Sequence, residues 1–186
     1  IRALPNMRVL VPCDAVEARA MTLALAKEVD GPAYLRLGRY PVPDIMPKDY
    51  RYALGRAITV RPGREVALIA CGHMVNVALR AAELLAKRHV DAAVVNMSTI
   101  KPLDEEAVYQ AMRSPPLVVT IEEHSIIGGL GTAVAEVMAG DGCGARLIRL
   151  GTQDVFGESG MADELLQKHG LTAGAVADRV SQEFGR

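Results

Sequence analysis

No stretch of this sequence is apolar for long enough to cross a bilayer. The longest runs, such as Ala67 to Cys71 and Val118 to Ile121, are strand-sized, against the roughly eighteen residues that a span requires. An excess of one charge is missing as well. Twenty-one Lys and Arg meet twenty-two Asp and Glu for a formal charge of −1, so nothing draws the whole molecule to nucleic acid or to an anionic membrane. Cysteine is scarce: Cys13, Cys71 and Cys143 are odd in number and unrelated in spacing, which argues against a disulfide framework and sets a cytoplasmic protein as the expectation. The four histidines, His73, His89, His124 and His169, stand in no metal-ligand spacing with one another or with the cysteines, so zinc is not expected. The chain opens Ile1-Arg2-Ala3, without an initiator Met or the pattern of a signal peptide, and is read as a fragment.

What is present is ample apolar content: half of the 186 residues are hydrophobic, enough for a packed core. Met7 to Val11 reads as a strand stopped by Pro12. Asp14 is placed to cap a helix over Ala15 to Lys27, and Ala33 to Leu37 closes a β-α-β unit after Gly31-Pro32. Two strands and one helix cannot cover both faces of a parallel sheet, so the first 40 or so residues look like the tail of a larger domain. From Gly38 to Arg56 no period is sustained and Pro41, Pro43 and Pro47 recur, which reads as a linker. Regular alternation follows. Strands are expected at Ala57 to Val60, Val66 to Cys71, Ala92 to Asn96, Leu117 to Ile121 and Arg146 to Leu150. Helices are expected between them: one with Val75, Ala78, Leu79, Ala82, Leu85 and Ala86 on a single face, one from Glu105 to Met112 capped by Asp104, and one from Gly131 to Met138. Two more are expected at Ala162 to Lys168 and Ala173 to Phe184. The fold class is therefore α/β, a mostly parallel sheet flanked by helices, preceded by a partial β-α-β piece.

Three segments could carry chemistry. Glu122-Glu123-His124, followed by Gly128-Gly129-Leu130-Gly131, sits where a strand hands over to a helix, the edge at which α/β proteins place ligands. His124 could move a proton with a glutamate orienting it, and the glycines could admit an anion to the helix start. The plainer reading, close packing with the polar triplet satisfying backbone groups or a subunit contact, is favoured. Gly140-Asp141-Gly142 resembles half of a diphosphate and metal motif, but the asparagines, Asn6, Asn76 and Asn96, all lie upstream, so no metal is assigned and a turn is expected. Residues 36 to 64 hold seven basic side chains, Arg36, Arg39, Lys48, Arg51, Arg56, Arg61 and Arg64, against Asp44 and Asp49. Arg39, just past a strand end, is the best-placed anion grip; a solvated, Arg-rich linker is the alternative. His73, at a strand end, is expected to cap a helix or face an interface, and His89 and His169 to lie at the surface near helix ends.

Five strings in register make the chain resemble the C-terminal part of transketolases, especially the C-terminal subunit of split, two-chain forms. They are Pro5 to Pro12 with Asp14, Gly31 to Arg39, Ile100 to Asp104, Thr120 to Gly131, and Asp154 to Gly160. The resemblance implies that residues 1–42 are the C-terminal remnant of a pyrimidine-binding domain, 43–52 a linker, and 53–186 the transketolase C-terminal α/β domain. It implies a transferase of the pentose phosphate pathway that moves a two-carbon ketol unit between sugar phosphates. The thiamine diphosphate and Mg²⁺ of the complete enzyme would be bound mainly by residues absent from this chain. It further implies no catalytic residue here, a substrate-phosphate contact at Arg39 with Arg36 a weaker candidate, a homodimer, and an N-terminal cofactor-binding domain or subunit as partner. The alternatives are a deoxyxylulose-phosphate synthase, the β subunit of a 2-oxo acid dehydrogenase, or a non-catalytic interaction module.

Overall fold

Strand β1 (Arg8–Leu10), helix α1 (Ala15–Glu28) and strand β2 (Ala33–Leu35) form the expected unit, with β1 and β2 paired in parallel. The computed structural model describes residues 1–39, 41–113, 115–142 and 144–185, and Asp141 without its side chain. Asp14 caps α1 as its spacing implies, its Oδ1 accepting the Glu17 N–H at 2.7 Å. β2 stops at Leu35, two residues sooner than its apolar pattern suggests, because after the Arg36 N–H donates to the Leu10 carbonyl the chain leaves β1 and Leu37 is exposed.

Residues beyond 57 form β3 (Ile58–Arg61), β4 (Val66–Ala70), α2 (Met74–Lys87), β5 (Ala92–Asn96), β6 (Thr99–Lys101), α3 (Glu105–Arg113), β7 (Leu117–Ser125), α4 (Leu130–Asp141), β8 (Arg146–Thr152), α5 (Ala162–Lys168) and α6 (Ala173–Glu183). Five strands run in the order β3-β5-β4-β7-β8, parallel except for β3, which is antiparallel to β5. Alternation along β4 decides the packing. Val66, Leu68 and Ala70 face a core shared with α2 and α6, whereas Ala67 and Ile69 face one shared with α3 and α4. Helix α2 buries Val75, Ala78, Ala82 and Leu85 of the periodic face expected from the sequence, with Met74 and Ala81 in addition, while Leu79 is only partly buried and Ala86 is exposed.

Strand β6 was not foreseen. After β5 the chain leaves the five-stranded sheet at Met97 and pairs antiparallel with β1, giving a second sheet ordered β2-β1-β6. Val9 and Val11 accordingly join the same core as Ile69, Val95, Met97 and Val118. Residues 43–52 contain no helix or strand, yet Met46 is buried, and the Ile45 and Met46 N–H groups both donate to Asp14 Oδ2, at 2.6 and 2.7 Å.

Candidate functional site

The ends of β2, β4 and β7 converge on one rim, and β7 brings the Glu-Glu-His triplet to it. β7 runs four residues past the expected Ile121, because Ser125 pairs with Thr152 of β8 beyond an irregularity in the register. Successive side chains on a strand point to opposite faces, so Glu122 turns towards α4 and Glu123 towards α2.

Glu122 is buried, and its two oxygens accept the Leu130 and Gly131 N–H groups at 2.7 and 2.8 Å. The anion-binding start of α4 is thus filled by the chain's own carboxylate. Gly129 makes room for it, since a Cβ there would lie 1.9 Å from Glu122 Oε2. Burial pushes this carboxyl above its ordinary range, although the two backbone donors pull the other way. His124 is exposed, its Nδ1 2.8 Å from the Ser125 carbonyl and 3.8 Å from Glu122 Oε2. Glu122 thus satisfies backbone groups, as the plainer reading held for the triplet.

Glu123 reaches across to the other sheet. Its Oε2 accepts from Arg36 Nη2 at 3.1 Å and lies 3.5 Å from His73 Nδ1. His73 stands at the start of α2 without a side-chain capping bond, and its pKa is lowered, chiefly by burial, against the pull of Glu123. Arg36 lines two cavities. One, of about 520 Å³, is walled by Arg2, Tyr34, Cys71, Glu122, Glu123 and His124 among others; the second, about 360 Å³, by Cys13, Asp14, Leu37, Gly72 and His73. Arg39 is exposed on the stretch that follows. Burial pushes the Cys13 and Cys71 thiols well above their ordinary range, which leaves neither a ready nucleophile.

One buried group escaped the reading of the sequence. Glu17 has no exposed surface; it accepts from the Cys13 N–H at 2.8 Å, from Asn96 Nδ2 at 3.0 Å on both oxygens, and from Tyr50 O–H at 3.2 Å. The Asp14-x-x-Glu17 spacing, a capping-box pattern, is the signal that could have found it. Its partners bind α1, the 43–52 segment and β5 together.

A diphosphate with its metal ion does not fit these residues. Gly140-Asp141-Gly142 ends α4, with Gly142 left-handed at φ 67° as its cap, and so offers carbonyl ends rather than N–H donors. Among the described residues no group of three or more His, Cys, Asp or Glu is placed to hold a metal ion.

Residues 55–176 match the family described as transketolase, C-terminal domain. The chain belongs to this family. A protein of Methanocaldococcus jannaschii named as a transketolase C-terminal section is 42% identical over 186 residues, covering 99% of this chain and 58% of that protein. A 6-deoxy-6-sulfo-D-fructose transketolase subunit of a Clostridium species is 43% identical over 93% of this chain and 53% of its own length. The 1-deoxy-D-xylulose-5-phosphate synthase of Symbiobacterium thermophilum is 40% identical over 96% of this chain but only 28% of its own. Among solved structures, a split gene transketolase, described as an inactive beta4 tetramer, superposes with a TM-score of 0.90 at 43% identity, covering 97% of this chain and 58% of that one. The transketolase-type relatives are thus about twice as long as the matched region or a little less. The mostly parallel α/β fold with its flanking helices is the fold of this family.

Proposed function

We propose that this chain is the C-terminal part of a thiamine-diphosphate-dependent transketolase that moves a two-carbon ketol unit between sugar phosphates in the cytoplasm. The observation that carries this reading is end-to-end similarity, above 40% identity, to the C-terminal sections of transketolases, including a split one. The cofactor would supply the carbanion chemistry on residues outside this chain. In this reading residues 1–42 are the C-terminal remnant of a pyrimidine-binding domain, 43–52 a linker, and 53–186 the C-terminal domain. The chain contributes scaffold, contacts to a second copy of itself and to an N-terminal cofactor-binding partner, and Arg39 as the grip on a substrate phosphate. The solved relative described as an inactive tetramer of one subunit type supports a chain that assembles with itself and needs a partner for activity.

Reconstitution tests this. With an N-terminal subunit, thiamine diphosphate and Mg²⁺, the assembly is expected to transfer ketol units, and the chain alone to do neither this nor bind the cofactor tightly. Tight calorimetric binding of thiamine diphosphate by the isolated chain would overturn the placement of the site. In the assembly, Arg39→Ala is expected to raise the apparent KM for phosphorylated sugars by about tenfold to a hundredfold, as a lost charge-assisted contact does, and to spare unphosphorylated analogues. Equal effects on both classes would remove Arg39 from the phosphate site. The synthase similarity favours a second reading, in which the product of the same assembly is 1-deoxy-D-xylulose 5-phosphate; product analysis separates the two.

A further inference from the structure

Arg39 is exposed, and so are its neighbours Leu37 and Gly38. A Cβ added at Gly38 would meet nothing within 4 Å, so no neighbouring atom packs against that position. Fixed points flank the stretch on both sides. Downstream these are Ile45 and Met46, bound to Asp14. Upstream there is Arg36, whose backbone N–H donates to the Leu10 carbonyl at 2.9 Å and whose guanidinium is tied to Glu123. The first bond fixes the chain to the small sheet; the second fixes the side chain to β7 of the large one. Glu123 Oε2 also lies 3.5 Å from His73 Nδ1, at the start of α2.

We propose that Glu123 is a positioning residue for Arg39: by anchoring Arg36 to β7 it fixes the base from which the exposed Leu37–Arg39 stretch projects. The inference rests on the reading of Arg39 as a phosphate grip. Charge alone predicts the opposite sign. A carboxylate near an anion site repels the anion, so its removal would tighten binding if Glu123 acted only through its field. Anchoring predicts weaker binding, because the anion must then pay the ordering of a loosened arm.

The experiment uses the complete, cofactor-loaded assembly and compares KM and kcat for a phosphorylated sugar and its unphosphorylated analogue. Glu123→Ala is expected to raise KM for the phosphorylated sugar by about threefold to fivefold, the range open to a half-exposed ion pair, with kcat and the unphosphorylated analogue unchanged. Glu123→Gln keeps an acceptor for Arg36 and is expected to stay within about twofold of the parent. In an Arg39→Ala background Glu123→Ala is expected to do nothing further. A lowered KM, an equal change for both substrates, or full additivity with Arg39→Ala would overturn the proposal. If Arg39→Ala itself leaves phosphate discrimination intact, the phosphate reading fails and this inference with it. If Arg39→Ala abolishes discrimination while Glu123→Ala has no effect, only the positioning role fails.

Discussion

Glu122 and Glu123 are adjacent on β7 and do unlike things, because the strand turns them to opposite faces. Glu122 enters the interior and gives α4 its first hydrogen-bond acceptors; Glu123 stays half-exposed and pairs with Arg36. Replacing Glu122 by Gln keeps the size but presents an amide N–H₂ to one of two backbone donors, and is expected to cost about 1–3 kcal/mol. The pH dependence has a definite sign. Because the carboxyl pKa is raised in the folded state, the folded chain holds that proton more tightly than the unfolded one, and the stability due to this group falls as pH rises from its ordinary value through the raised one. The Gln variant lacks this component, so its deficit is expected to be larger at pH 4 than at pH 7 in urea midpoints. A deficit that grew with pH would mean that the two N–H groups outweigh burial. At this scale the sequence showed that the triplet and the glycines belong together, since both flank a strand-to-helix junction. It did not show which glutamate faced which side, because β7 continues past Ile121 only through pairing with β8.

At the scale of elements, Asp14 does more than its position as a helix cap requires. One oxygen caps α1 and the other takes two N–H groups of the 43–52 segment, so one side chain ties together a helix and a proline-rich strap. Asp14→Ala is expected to lose the cap, at about 1 kcal/mol, and to release the strap in addition. The readouts are a lower unfolding midpoint and faster proteolysis within residues 38–52; unchanged cleavage there would show that Met46 packing and the Tyr50–Glu17 bond hold the strap without Asp14. Helices α1 to α6 were all expected from the sequence, α1 and α3 with their Asp caps and α2 from its periodic face, and so were the β4, β5 and β7 cores, since strands buried on both faces read as unbroken apolar runs. Strand β6 was not, because Thr99 to Lys101 is only three residues long and shows no period of its own.

For the whole molecule, β6 decides how the two sheets relate. It belongs by sequence to the region after residue 53 but pairs with β1, and Val9 and Val11 complete a core whose other members come from β4 to β7 and from α3 and α4. A chain shortened to residues 53–186 is therefore expected to expose Ile69, Val95 and Met97, to bind an apolar dye, and to melt earlier than residues 1–186. Equal melting temperatures would show that the five-stranded sheet and its helices are self-sufficient. The same pairing places Arg36 beside Glu123, so the rim and its cavities exist only when both sheets are present.

The amino-acid sequence by itself determined the alternation of strands and helices, the parallel sheet buried on both faces, and the family resemblance in its five strings. These follow from local periodicity, capping and turn chemistry, which each segment carries within itself. Tertiary structure alone decided that Glu122 occupies the helix start an anion might have taken, that Glu17 is buried among Cys13, Tyr50 and Asn96, and that Arg36 meets Glu123. The bonds of Glu17 to Tyr50 and Asn96 and of Arg36 to Glu123 join residues far apart along the chain, which no local pattern pairs, and the turn of Glu122 onto the nearby start of α4 depends on the strand face that pairing with β8 fixes.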